Sequence, residues 1–167
     1  DKTMLYVGGA FQFVDGKARS FVAAFNLPSG TLNTTFKPQM NGRVYAIAPT
    51  NSNVYLGGSF TKAAGQLRTR LAAVTKANAL LPWAPTADGQ VTSLAMTPDE
   101  SRVVVGGRFN QLNASARRGV GAIYTADGTR APWAGNQIDP AAYTTSLTMV
   151  DNLVYLTGDA QGSVSEG

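Results

Sequence analysis

The sequence predicts an all-β chain built from a repeated four-stranded unit, and three observations carry that prediction. A double glycine returns in fixed register as Tyr6-Val7-Gly8-Gly9-Ala10-Phe11, Tyr55-Leu56-Gly57-Gly58-Ser59-Phe60 and Val104-Val105-Gly106-Gly107-Arg108-Phe109, with 49 residues from Gly8 to Gly57 and 49 from Gly57 to Gly106. Short β-branched and aromatic runs alternate with Gly, Asn, Asp and Pro, the pattern of hairpins rather than of helices. Charged residues are only 14% of the 167, against roughly 25% in ordinary soluble domains. A period near 50 made of short apolar runs points to the radial four-stranded blades of a β-propeller, since helical repeats are mostly shorter and follow a helical pattern.

The elements of the unit recur in a fixed order. After the first glycine pair comes a connection ending at Arg19 and the run Phe21-Val22-Ala23-Ala24-Phe25; the second copy has Arg68 and Arg70-Leu71-Ala72-Ala73-Val74, and the third Arg117 and Gly119-Val120-Gly121-Ala122-Ile123, all without a gap. A turn near Gly30, Asn78 or Gly128 then leads to Phe36-Lys37-Pro38, Trp83-Ala84-Pro85 or Trp133-Ala134-Gly135. An alternating run follows, Val44-Tyr45-Ala46-Ile47-Ala48, Val91-Thr92-Ser93-Leu94-Ala95 and, more loosely, Tyr143 to Thr148, before a tight turn and the next glycine-pair strand. The alternating run is expected to be the inner strand, the glycine-pair strand the second, the Ala-Ala-Phe run the third and the aromatic-Pro element the outer edge. Glycine at the end of a strand lets the backbone turn, take positive φ or accept a close neighbour. Phe11, Phe60 and Phe109 read as packing between blades.

Taken together, Val-Gly-Gly-x-Phe, the following Arg, Leu-Ala-Ala-Phe, Phe/Trp-x-Pro and the alternating run resemble the delta-60 repeat of bacterial secreted and surface proteins, and more loosely kelch blades. The likeness spans nearly the whole chain, with departures at Asn78-Ala79 and at Thr157-Gly158-Asp159-Ala160. It implies an extracellular or cell-surface β-propeller, often set beside other modules and without a shared catalytic site. The expected units are residues 1–43, 44–90, 91–142 and a partial 143–167, about three and a half blades in a single propeller segment. Closed propellers use ~4–8 blades, so the expectation is part of a larger propeller whose further blades come from the same or another chain.

The sequence lacks the residue types on which many catalytic and metal sites depend. His and Cys are both absent, which removes Ser-His-Asp and Cys-His nucleophile systems, His-ligated zinc or copper, thiolate metal sites and disulfides. Carboxylates fall where turns favour them, at Asp15-Gly16, Asp88-Gly89, Asp99-Glu100 and Asp127-Gly128. No calcium loop and no sialidase-type Asp box occurs, so no metal, cofactor or catalytic residue is expected. No apolar run approaches the ~18 residues of a membrane span, and the scattered basic residues come with no nucleic-acid-binding motif.

The net charge of +4 includes three arginines in repeat register, Arg19, Arg68 and Arg117. They are the candidate ligand-binding residues, a basic arc for an acidic glycan, a teichoic-acid-like polymer or a protein at one rim. The competing reading has each one bond loop carbonyls and organise the connection between the second and third strands. Trp83 and Trp133 share a slot with Phe36 and read as packing. The sequons Asn33-Thr34-Thr35 and Asn113-Ala114-Ser115 would matter only in a glycosylating host. Three function classes follow: a non-catalytic surface module for binding or adhesion, a structural component of a larger assembly such as a phage tail or surface fibre, and part of an enzyme whose catalytic residues lie outside this segment.

Overall fold

The computed structural model describes residues 3–132 and 143–159. Every strand pair in it is antiparallel, and no helix occurs among the described residues. The first sheet contains β1 (Met4–Gly8), then, beyond a small ribbon of β2 (Phe13–Val14) and β3 (Lys17–Ala18), β4 (Val22–Asn26) and β5 (Thr31–Leu32), in the order β1-β4-β5. The second contains β6 (Val44–Pro49) and β7 (Asn53–Gly58), a ribbon of β8 (Lys62–Ala63) and β9 (Gln66–Leu67), and β10 (Leu71–Thr75), whose Val74 bridges Leu80 at the outer edge. The third is complete: β11 (Gln90–Met96), β12 (Arg102–Arg108), a ribbon of β13 (Gln111–Leu112) and β14 (Ser115–Ala116), β15 (Val120–Tyr124) and β16 (Arg130–Ala131). A hairpin of β17 (Tyr143–Val150) and β18 (Leu153–Asp159) follows. The chain is an all-β partial propeller in which each sheet is laid down from the inside outwards.

The inner, second and third strands are the ones the repeat predicts, but the outer edge is not the aromatic-Pro element. Thr31–Leu32, Leu80 and Arg130–Ala131 take the edge instead, just ahead of Phe36, Trp83 and the position of Trp133. Trp133-Ala134-Gly135 itself lies outside the described residues. The aromatic-Pro segment is an extended crossover that buries alternate residues, Phe36, Pro38 and Met40 in one copy and Trp83, Pro85 and Ala87 in the next. Proline has no N–H to give a ladder, whereas a buried Phe or Trp between two sheets gains ~1.5–3 kcal/mol of transfer free energy. Packing therefore overrides pairing.

Three apolar layers hold the sheets together. The first joins Val22 and Ala24 to Val54, Leu56, Ala72 and Val74 around Phe36 and Phe60. The second joins Tyr55, Leu71 and Ala73 to Val103, Val105 and Ile123 around Trp83 and Phe109. In the third, Val104 and Val120 meet Leu147. Tyr6 stands edge-on to Phe36 at 5.1 Å and Tyr55 edge-on to Trp83 at 5.0 Å, the same contact one repeat apart. Trp83 also donates its Nε1–H to the Tyr124 carbonyl in the next blade at 2.8 Å. Phe60 and Phe109 are buried as expected, and Phe11 is half-buried.

The two glycines of a pair do different work. A Cβ on Gly57 would lie 2.5 Å from Cγ1 of Val91, on the inner strand of the following blade. A Cβ on Gly107 would run into the Gln90 carbonyl of its own blade, where β11 carries a bulge between Val91 and Ser93. Close approach, and not positive φ, is thus what excludes a side chain at both sites. The matching bulges in β6, between Val44 and Ala46, and in β17, between Thr144 and Ser146, identify Thr144 as the counterpart of Val44 and Val91.

Candidate functional site

The connections between second and third strands build one rim of the molecule. Each is a ribbon closed by a two-residue turn with both central residues at positive φ: Asp15 and Gly16, Ala64 and Gly65, Asn113 and Ala114. That is the primed geometry whose twist matches paired strands. All three join the same two strands of their sheets, so all three stand at the same end, opposite the tight turns near Asn53, Arg102 and Leu153.

The crossovers anchor the ribbons. Ala64 N donates to Gln39 O at 2.7 Å and Asn113 N to Thr86 O at 2.8 Å. Asn41 Oδ1 accepts from the amides of Thr61 and Lys62, and Asp88 Oδ1 from those of Asn110 and Gln111, each at 2.8 or 2.9 Å. Asp88 is accordingly a loop brace. Beyond these anchors the tips are open to solvent, with Phe13 67% and Leu67 69% exposed beside Lys17 and Lys62.

The three register arginines do not present a uniform arc. Arg19 and Arg68 retain only 5% and 8% of their exposure. Arg19 donates from Nη1 to Ala18 O at 2.7 Å and from Nη2 to Asn33 O at 2.9 Å, and Arg68 repeats this on Leu67 O and Leu81 O, both at 2.8 Å. Each guanidinium thereby ties the foot of a ribbon to the outer edge of its own blade. Arg117 differs: it is half-buried, its Nε–H goes to Val120 O at 3.0 Å, and it shares a cavity of about 250 Å³ with Arg130. Burial, and then the charge of Arg130, lower its pKa. Arg130 was not singled out from sequence, although Leu80-Leu81-Pro82-Trp83 against Arg130-Ala131-Pro132-Trp133 holds the signal.

The remaining candidates are occupied locally. Asp99 Oδ1 accepts from Thr97 Oγ1 at 2.6 Å and Oδ2 from Ser101 Oγ at 2.7 Å, which together with the Ser101 amide holds its carboxyl at about 2. Asp127 is lowered in the same way, by the amide and then the hydroxyl of Thr129. In both sequons the side-chain amide is engaged, Asn33 Nδ2 with Asn26 Oδ1 and Asn113 Nδ2 with Gly128 O, each at 2.8 Å. Among the described residues no three His, Cys, Asp or Glu side chains come together to hold a metal, and no helix is long and apolar enough to cross a membrane.

Antiparallel meanders of up to four strands packed side by side, with a glycine pair at each contact, define this chain as a β-propeller segment. Residues 4–36 match the sequence model of a family described as a domain of unknown function (DUF5122) beta-propeller. That stretch runs from the glycine-pair strand β1 to the first crossover aromatic, Phe36. No curated protein matches the chain.

Proposed function

We propose that this segment is a non-catalytic binding module of an extracellular or cell-surface protein, that it recognises a protein or acidic glycan through the ribbon rim, and that its repeat is of the delta-60, loosely kelch-like, kind found in bacterial surface proteins. The observation that carries this reading is the row of three ribbons with fixed bases and differing, solvent-exposed tips. Strand side chains are committed to the layers between blades, so variation that serves recognition is accommodated in connections on a rigid scaffold. The test replaces Phe13, Lys17, Lys62 and Leu67 together by Ser and measures retention on immobilised acidic surface polysaccharide at rising salt. The parent chain should bind, with affinity that falls as salt screens the lysines; the variant should bind at least about tenfold more weakly, a loss of ~1.4 kcal/mol. Equal binding by the two would refute the rim assignment.

A second reading, a component of a larger assembly, is favoured by the apolar surface of the last hairpin, where Val150, Leu153, Tyr155 and Leu156 are all exposed. Contiguous exposed apolar patches mark interaction sites. Sedimentation of the natural material decides between the two, a discrete particle supporting the module and a polymer the assembly.

A further inference from the structure

The second and third blades anchor their ribbons differently. Ala64 and Asn113 are equivalent in the 49-residue register and hold the same place in the ribbon turn, with φ of 48° and 51°. Their amides act alike, Ala64 N donating to Gln39 O and Asn113 N to Thr86 O, so Gln39 and Thr86 are equivalent points on the two crossovers. The side chains do not act alike. Asn113 Oδ1 accepts from Thr86 N at 2.9 Å and its Nδ2 donates to Gly128 O at 2.8 Å, so one carboxamide ties the ribbon both to the crossover and to the outer turn of the blade.

Alanine can make neither bond, and the second blade has a cavity of about 120 Å³ beside Ala64. Gln39 lines it from the crossover and Asn78 from the outer turn. Asn78 is the counterpart of Gly128, since the two have φ of 74° and 77° and each stands two residues before the outer-edge residue, Leu80 or Arg130. The Asn78 side chain is fixed against the crossover, its Oδ1 accepting from Lys37 N at 3.1 Å. The Gln39 N–H and the Asn78 carbonyl, which correspond to the donor and the acceptor that Asn113 engages, have no partner among the described residues. Pro38, Ala63, Val74 and Leu80 make the rest of the lining apolar.

We propose that this pocket of the second blade binds an acetamido group, the N-acetyl substituent of an N-acetylhexosamine, in the place that the Asn113 carboxamide fills in the third blade. The acetamido oxygen accepts from Gln39 N, the acetamido N–H donates to the Asn78 carbonyl, and the methyl group lies against the apolar lining. A secondary amide offers the one donor and the one acceptor that this pair of backbone groups calls for. The volume of about 120 Å³ equals about four waters at ~30 Å³ each in the liquid, a fit for a group of four heavy atoms. A glutamine or asparagine side chain carries an amide too, but lacks the terminal methyl group that the apolar lining suits. The site goes beyond the ribbon-rim reading and does not depend on it, for it uses none of Phe13, Lys17, Lys62 and Leu67.

Amide-resolved NMR titration of the whole chain with N-acetylglucosamine tests the pocket. The Gln39 amide should shift in a saturable way, and glucose, which lacks the acetamido group, should bind at least about tenfold more weakly, as expected for the loss of two hydrogen bonds. Ala64→Asn installs the residue of the third blade in a left-handed conformation that asparagine adopts more readily than alanine; it should fill the pocket, shift the Gln39 amide without ligand and remove the response to N-acetylglucosamine. Leu80→Ala lowers one apolar wall and leaves the backbone groups in place, so it should weaken binding about threefold or more, and it serves should the asparagine variant not fold. The tripeptide Gly-Gln-Gly is the third probe: weaker binding than N-acetylglucosamine supports the acetamido assignment, and tighter binding identifies a protein side chain as the occupant and overturns it. Absence of a saturable shift at Gln39, equal affinity for glucose and N-acetylglucosamine, or undiminished binding by Ala64→Asn overturns the site and leaves the ribbon-rim reading, which rests on other residues and another probe, intact.

Discussion

Replacing Gly57 by alanine should destabilise the fold, and trimming Val91 should relieve the damage. Gly57 has no positive φ, so alanine would by itself stabilise the strand by about 0.4–1 kcal/mol through the entropy of the unfolded chain. Against this stands a Cβ placed 2.5 Å from Val91 Cγ1 and 3.3 Å from Leu94 Cγ in a layer where Val91 is fully buried. Overpacking of this kind costs ~1–3 kcal/mol, which leaves G57A about 1–2 kcal/mol less stable. V91A alone removes two buried methyl groups at ~0.5–1.5 kcal/mol each. Because the double variant has lost the clashing Cγ1, it should be more stable than the sum of the single losses by at least ~1 kcal/mol, well outside the ~0.3–0.5 kcal/mol scatter of independent sites. Urea unfolding followed by tryptophan fluorescence measures all four corners of the cycle, provided the m-values agree. Gly107 supplies the contrast, since its obstacle is the Gln90 backbone carbonyl: G107A should cost ~3 kcal/mol or more, and V91A should not rescue it. Additive behaviour of G57A and V91A would refute the claim that the first glycine exists to admit a side chain from the next blade.

Other expectations are as specific. Arg68→Met should cost about 2–3 kcal/mol in urea unfolding, the loss of two charge-assisted bonds to backbone carbonyls, and a loss under 0.5 kcal/mol, the range of an ordinary surface exchange, would show that the ribbon foot does not need the guanidinium. Ser93 Oγ and Thr144 Oγ1 are buried without a protein partner, where the second blade has Ala46 and Val44; Ser93→Ala and Thr144→Val should therefore raise stability by up to ~1 kcal/mol each, and a fall in midpoint would disprove it. Asp99 should titrate at about 2 in a carboxyl carbon NMR experiment, because three donors favour its charged form. A carboxyl lowered in the folded state contributes stability that is complete above the ordinary value near 4 and is lost as pH falls towards 2. Asp99→Ala should flatten that acid limb, and a titration midpoint near 4 would refute the bracing role.

How much of this was legible in the sequence depended on what each position had to satisfy. The inner, second and third strands were readable because their alternation and the glycine pairs are enforced by sheets packed on both sides. The outer strand was not, since two residues of ladder leave almost no pattern and a neighbouring aromatic with proline looks more like an edge. Positive φ just before the third strand was hidden as well: Gly119 advertises it, but Phe21 and Arg70 adopt the same conformation with φ of 67° and 71°. The register of Arg19, Arg68 and Arg117 was visible, yet repetition alone could not separate a brace from a ligand contact. Only the carbonyls of Asn33 and Leu81 assign the first two as braces, and only the ladder partner of Ile123 brings Arg130 beside the third.

The division of labour within the glycine pair has a consequence for how such chains grow. One glycine fits a blade to its own inner strand and the other to the inner strand that follows, so everything a blade needs from its surroundings is specified at its boundary with the next copy. Cohesion then approximates a one-dimensional chain of intrinsic and nearest-neighbour terms. A duplicated unit cut between equivalent positions would carry a matching donor and acceptor surface at its two ends, and blade number could change by unequal recombination without any compensating substitution in the units already present.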